Sequence, residues 1–327
     1  MKNIAILVAE SAVVEAVADP RYMFSAVNEF LKARGQAPAF RIEIVGLTKD
    51  VQLLDGLFTI HADATVDNAS RPDLIIIPAL SGDLKQAIDL NKGFVPWIVF
   101  QHQMGAEVAS LCLGAFLLAS TGLVDGKCCS THWLFANQFR SMFPKVNLVD
   151  DRIVTEHNGV YSSGGANSYW NLLLHLVEKY TNRELAVLAA KYFVLDIDRR
   201  SQSPFAMFRG QRLHNDEDIA RAQEFIEANF TERISIDDLC RLLSMGRRTF
   251  ERRFRKATNN SVVEYIQRVK IEAAKRELEE GRKTVNEIMY EVGYADTKAF
   301  RDVFRKVTSV SPVEYRNKYS REIINQS

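Results

Sequence analysis

The sequence predicts two domains of different class: an α/β domain built on a doubly wound, mostly parallel sheet, followed by an all-α domain. Three observations carry this. Short runs rich in Ile, Val and Leu alternate with helical patterns through the first half. From Asp216 onward every pattern has helical period. Within that last third, a stretch of the chain repeats itself with a shift of fifty residues.

The strand-like runs are NIAILVA (3–9), FRIEIVGL (40–47), DLIIIPAL (73–80) and EVASLC (107–112). Such runs suit strands buried on both faces. Helical patterns cover 22–34 and 85–92, and a longer one, 168–180, follows Gly164 and Gly165. Length agrees with two cores, since 327 residues exceed one ordinary domain. We expect an α/β domain over 1–182, a connector over 183–215 in which Pro204 interrupts any continuous helix, and a helical domain over 216–322. With 47% hydrophobic and 25% charged residues, and no apolar run of eighteen, the composition is that of a globular chain with no membrane span. A cytoplasmic location is expected, because Glu10 interrupts the short apolar N-terminal run that a signal peptide would need. Four cysteines without ligand spacing and six scattered histidines predict neither a disulfide framework nor a metal site, and no cofactor is expected.

Phe250-Glu-Arg-Arg-Phe254-Arg-Lys-Ala-Thr258 lies over Phe300-Arg-Asp-Val-Phe304-Arg-Lys-Val-Thr308, and Ser261, Val263, Glu264 and Tyr265 match Ser311, Val313, Glu314 and Tyr315. Upstream the shift is forty-nine, so the turn carries an insertion of one. Each unit reads as helix, tight turn, helix: 235–257 and 284–307, with Ser235, Thr284 and Asp296 as caps and Gly293 as a terminator. Phenylalanines at i and i+4 are expected to face inward. In the first unit the remaining face is basic: Arg247 to Lys256 holds six basic residues against Glu251. Net charge is only +1, so this local density, not the total, points to nucleic acid. A second helix of this type enters the major groove, where arginine meets phosphates and guanine edges. A helix over 262–280 would span about 28 Å, close to the ~34 Å between successive groove faces.

These residues resemble the AraC/XylS-type DNA-binding domain, most closely in IMYEVGYADTKAFRDVFRKVTSVSPVEYR. The resemblance implies binding to a promoter operator in double-stranded DNA. It places Arg247, Arg248, Glu251 and Arg252 of the first unit, and Thr297, Lys298 and Arg301 of the second, at bases or phosphates. Two positions depart from the pattern: Gly246 stands where Ser is usual, and Asp302 where a base is usual. The first unit is therefore expected to dominate affinity.

In the first domain, ASLCLGAFLLAS puts Cys112 at a strand-to-helix corner, the geometry of a nucleophile elbow, with His132 twenty residues on. Two readings stay open. Cys112 and His132 pair for nucleophilic catalysis, or Cys112 is a small buried hydrophobe and His132 a satisfied residue. Cys112 and the vicinal Cys128 and Cys129 admit a redox role only if exposed. Residues 1–182 resemble the ThiJ/PfpI branch of the class I glutamine amidotransferase-like fold, on IAILVAESAVVEAVADP, DLIIIPALSG, the Cys112 elbow with GLVDGKCCSTHW, and SSGGANSYWNLLLHLVE. That resemblance implies Cys112, His132 and Glu15 as the candidate catalytic set. The pairing of the two domains resembles the GlxA-like regulators. It implies a sensor and dimerisation domain that binds a small, nitrogen-containing effector around Cys112, His132, Gly164 and Gly165, in a homodimer without catalysis. Trp133 and Trp170 offer either aromatic faces to a cation or ordinary core packing. The alternative is an amidase or glyoxalase-like cysteine enzyme fused to a DNA-binding domain.

Overall fold

The computed structural model describes residues 1–199, 201–208, 210–212 and 214–320. It divides into two units, Met1–Gln202 and Ser203–Ser327. The division falls inside the expected connector. The first part of that connector, Arg183–Tyr192, is a helix with its own apolar stripe, and it packs into the N-terminal unit.

The strands of the N-terminal unit are β1 (Lys2–Val8), β2 (Phe40–Gly46), β3 (Asp50–Leu53), β4 (Phe58–His61), β5 (Ala64–Thr65), β6 (Leu74–Ile77), β7 (Glu107–Ser110), β8 (Cys128–Cys129), β9 (Asn147–Leu148), β10 (Val154–His157) and β11 (Val160–Ser163). Seven form one sheet in the order β10-β11-β7-β6-β1-β2-β5. Every pairing in it is parallel except β10 with β11. The central strands are the apolar runs: Ile4 to Ala9 and Leu74 to Ile77 are fully buried. Order reverses at β1, whose neighbours are β2 on one side and β6 on the other, and such sheets bind ligands beyond the carboxyl ends of their strands. The β3–β4 hairpin and the short β8–β9 pair stand outside this sheet and lacked a readable signal.

The flanking helices are α1 (Val14–Ala33), α2 (Leu84–Asn91), α3 (Phe94–Gln103), α4 (Ala115–Ser120), α5 (Ala136–Met142), α6 (Tyr169–Tyr180) and α7 (Arg183–Tyr192). The helix expected over 22–34 begins two turns earlier, at Val14, and contains Pro20. A proline inside a helix costs about 3 kcal/mol. Burial of Ala16, Val17, Met23, Phe24 and Val27 on one stripe offsets it.

The C-terminal unit is helical: α8 (Glu217–Ala228), α9 (Ile236–Leu242), α10 (Arg247–Thr258), α11 (Val262–Glu280), α12 (Val285–Glu291), α13 (Thr297–Thr308) and α14 (Pro312–Tyr319). The spacer helix has the bounds expected of it. It serves two small cores. Tyr265 and Val269 pack with Ile219, Leu239, Phe250 and Phe254. Ile271, Ala274 and Leu278 pack with Ile288, Val292, Phe300 and Phe304. On α9 Leu239 is buried while Leu242 faces out.

The repeat holds atom by atom. Thr258 Oγ1 donates to Phe254 O, and Thr308 Oγ1 to Phe304 O, both at 2.8 Å. Tyr265 donates to Glu227 at 2.5 Å and Tyr315 to Glu279 at 2.6 Å. Both α10 and α13 end on a residue in the left-handed region, Asn259 and Ser309. Capping boxes open α9, α11, α12 and α14 through Ser235 with Asp238, Ser261 with Glu264, Thr284 with Glu287, and Ser311 with Glu314.

Among the described residues no helix is long and apolar enough to cross a membrane, and no group of three or more His, Cys, Asp or Glu is placed to hold a metal.

The four capping carboxylates accept hydrogen bonds from their Ser or Thr partners, which holds each below the usual carboxylate range. A depressed folded value contributes stability that is complete above the unfolded value of about 4 and is lost as pH falls through the folded one. The helical circular dichroism of the C-terminal unit is therefore expected to fall below about pH 4. All three tryptophans (Trp97, Trp133 and Trp170) lie in the N-terminal unit, so their fluorescence reads that unit separately. Glu264→Ala combined with Glu314→Ala should make the helical signal less dependent on pH. An unchanged acid profile would argue against the capping assignment.

Candidate nucleic-acid interface and small-molecule site

Each helix-turn-helix unit is held by its phenylalanine pair. Phe250 and Phe254, like Phe300 and Phe304, are fully buried, with ring centroids 5.6 and 5.8 Å apart. Anchoring that face turns the rest of the helix outward. On α10 this exposes Arg247, Arg248, Arg252, Arg255 and Lys256, with Glu251 partly covered. On α13 it exposes Lys298, Arg301, Asp302, Arg305 and Lys306, with Thr297 partly covered.

The exposed arginines are not equivalent. Arg247 Nε lies 3.3 Å from Glu251, and its guanidinium 3.8 Å from Asp237. Arg253, counted in the basic run, turns inward instead. It binds Asp216 at 2.6 Å and Asp218 at 3.1 Å, at the start of α8. Its guanidinium holds the Asp216 carboxyl below the usual range, and that carboxyl also caps α8 by accepting from Ile219 N–H. So Arg253 joins α10 to α8. Arg248, Arg252, Arg255 and Lys256 make no ion pair among the described residues, which leaves their charge for a polyanion. The start of α10 has no side-chain cap, since Gly246 stands there, whereas Asp296 caps α13 by accepting from Ala299 N–H at 2.6 Å. The added bases Arg305 and Lys306 sit one turn further along α13, where the repeat with Arg255 and Lys256 could have marked them.

In the N-terminal unit, β7 runs into a short 3-10 turn, Cys112–Gly114, and then α4. Cys112 has φ 50°, the left-handed region, as an elbow requires. Gly114 follows because the elbow presses on the end of β6. A Cβ there would collide with Pro78 O and lie 2.7 Å from Ile77 O. Cys112 N–H donates to Ser163 Oγ at 3.2 Å, and Thr131 Oγ1 donates to Cys112 O at 3.2 Å. β11 runs parallel to β7 and delivers Ser163, Gly164 and Gly165 to the same end of the sheet.

The elbow is present, but the catalytic set is not wired. The Cys112 side chain is buried, and burial pushes its thiol up to about 12. At neutral pH its thiolate would be on the order of one part in 10⁵. His132 Nδ1 accepts from Leu134 N–H at 3.1 Å and caps a short turn. Burial lowers its pKa, favouring the neutral ring. Among the described residues no hydrogen bond joins Cys112 to His132 or to Glu15. Cys128 is exposed and Cys129 is buried with its thiol raised to about 11, so the vicinal pair is split between two environments.

One group near the elbow escaped the sequence. Asp19 accepts from Tyr169 O–H at 2.6 Å, and the Trp170 ring stacks beside that of Tyr169 with centroids 6.2 Å apart. Burial raises the Asp19 pKa, and the charge of Glu15 raises it further. Cys112 acts on Tyr169 as well, which puts Glu15, Asp19, Tyr169, Trp170 and Cys112 in one neighbourhood. Trp170 packs on Phe193, with centroids 5.0 Å apart.

The burial of the elbow thiol has a direct readout. At pH 8 iodoacetamide should label the exposed Cys128 first and leave Cys112 unmodified in the folded chain. Mass mapping that finds Cys112 labelled as fast as Cys128 would contradict the buried, protonated thiol.

Comparison with known proteins agrees with this geometry. The model of the DJ-1/PfpI family matches residues 3–179, and that of a helix-turn-helix domain matches residues 239–318. The HTH-type transcriptional regulator GbdR of Pseudomonas aeruginosa is 26% identical over 272 residues, covering 82% of this chain and 72% of that protein. The HTH-type transcriptional regulator GlxA of Rhizobium meliloti is 20% identical over 217 residues, covering 66% of this chain and 67% of that protein. A crystal structure of a ThiJ/PfpI family protein from Pseudomonas syringae superposes with a TM-score of 0.50 at 18% identity, over 61% of this chain and 76% of that one, which establishes the fold alone. The chain belongs to the DJ-1/PfpI family and carries an AraC-type helix-turn-helix domain at its C-terminal end.

Proposed function

We propose that the protein is a sequence-specific DNA-binding transcription regulator whose N-terminal unit binds a small nitrogen-containing effector. The observation that carries the first half is the duplicated helix-turn-helix. Two helices anchored by buried phenylalanine pairs present Arg248, Arg252, Lys298 and Arg301 outward from one shared helix of nineteen residues. That is the arrangement needed to meet two stretches of major groove. Arg247, Glu251 and Thr297 complete the set of contacts. GbdR and GlxA, both described as HTH-type transcriptional regulators, support the same reading.

For the effector, support comes from the acid-aromatic group beside the elbow. Asp19 and Glu15, next to Tyr169 and Trp170, offer negative charge and π faces to a cationic nitrogen. Cys112, His132, Gly164 and Gly165 line the same end of the sheet in this reading. A thiol at about 12 with no histidine bonded to it favours sensing over cysteine catalysis. We place the protein in the cytoplasm, as a homodimer paired through its N-terminal units, because operators are read by more than one module.

The DNA reading is tested by selecting duplexes from a random pool with the full chain, then titrating the winner at fixed salt. Arg252→Ala should weaken binding by at least ~1 kcal/mol and relax preference at one base pair. Equal affinity and equal preference would sink the assignment. The effector reading is tested by a thermal-shift screen of amines, amino acids and betaines on the full chain. A true effector raises the tryptophan-detected transition in a concentration-dependent way. Asp19→Asn should abolish that rise, and a rise of the same size in the variant would move the site elsewhere.

A further inference from the structure

Gln202 is the last residue of the N-terminal unit and is only 1% exposed. A glutamine at the end of a domain ordinarily lies in water. This side chain is instead spent entirely on main-chain groups. Its Nε2 donates to Thr131 O at 2.9 Å and to Arg152 O at 3.4 Å, and its Oε1 accepts from Trp133 N–H at 3.3 Å. The backbone around it is seated too. Gln202 N–H donates to Asp151 O at 2.9 Å, and Ser201 pairs with Arg152 as an isolated antiparallel bridge. The cleft is shaped for the amide: a Cβ on Gly164 would collide with Gln202 Nε2 and lie 2.8 Å from Ser130 Oγ. Gly164 does not have a positive φ, so space for this amide, not backbone strain, accounts for the glycine. The cleft also adjoins the elbow, because Thr131 bonds Cys112 O and Ser163 bonds Cys112 N–H.

We propose that this cleft is a binding site for a small primary amide or urea, and that Gln202 is its tethered occupant, a latch that a free ligand of that class displaces. The complement defines the class. Two carbonyl oxygens and one N–H call for a group with paired N–H donors and a neighbouring C=O. A carboxylate has no donor for Thr131 and Arg152, and an ammonium has no acceptor for Trp133. The tether gives Gln202 a local concentration in the millimolar range, which a free ligand must match or exceed through added contacts. Displacement has a consequence for the chain. Further on, Lys275 Nζ holds Ala206 O at 2.6 Å and Glu272 accepts from Phe208 N–H at 3.0 Å. Residues 203–205 form a 3-10 turn with Ser203 and Pro204 buried and Phe205 packed on Tyr319, so unlatching loosens only the segment that enters this fixed turn.

The test uses hydrogen exchange on the full chain, with propionamide as the probe. Wild type should protect the amides of residues 201–203. Gln202→Ala, and independently Gly164→Ala, should raise their exchange at least tenfold without moving the tryptophan-detected transition by more than a few degrees. Propionamide at tens of millimolar should raise the tryptophan-detected transition of Gln202→Ala in a concentration-dependent way, and N,N-dimethylacetamide, which lacks N–H donors, should not. Wild-type exchange in both variants would overturn the latch. Raised exchange without that rise in propionamide would overturn the ligand class. If no duplex is selected by the wild-type chain, the regulator reading falls while these outcomes stand.

Discussion

Helix α11 is the element on which the C-terminal unit depends. A helix–turn–helix pair is too small to bury a core alone, and here neither unit does. Each borrows half of one helix: Tyr265 and Val269 close the first core, and Ile271, Ala274 and Leu278 close the second. Phe230 packs against both. Because a continuous backbone-bonded helix joins them, the separation of α10 and α13 is set by rise per residue and not by a loop. The burial of charge on this helix follows from the same crowding. Lys275 and Glu272 pair at 2.8 Å while almost wholly enclosed, and Lys270 reaches Gly293 O as burial lowers its pKa. These groups tie turns and connector to the shared helix in addition to the apolar contacts.

How much was legible depended on the range of the forces involved. The helix-turn-helix units could be read almost to the residue, since caps, glycine terminators and i, i+4 phenylalanines act within a turn or two of their own position. Ser235, Thr284 and Asp296 cap as their spacing implies. The sheet strands were readable as apolar runs, but the start of the first helix was not, because Pro20 hides a stripe whose burial outweighs the proline. The charge face of α10 was overcounted by one. Arg253 looks like its neighbours in the sequence, and only the fold brings Asp216, thirty-seven residues away, within reach.

The elbow end of the sheet is where local reasoning ran out. The strand-to-helix corner marked Cys112, and its positive φ bears that geometry out. The groups that decide the chemistry come from far along the chain: Asp19 meets Tyr169 across 150 positions, and Gln202 meets Thr131 across 71. No periodicity records such pairs. The elbow therefore stayed open between nucleophile and core residue until its surroundings were known. Those surroundings are dry around the thiol and acidic and aromatic beside it.

Asp302 occupies on α13 the place that Arg252 holds on α10, and both are exposed. Arginine pairs with the acceptors of guanine, whereas a carboxylate accepts only from an amino group such as that of cytosine, and it repels phosphate. The two arms of the domain therefore speak different dialects. On the proposed regulator reading, these equivalent positions favour different base edges, so the two units read unlike half-sites and a single bound copy has a defined direction along the duplex.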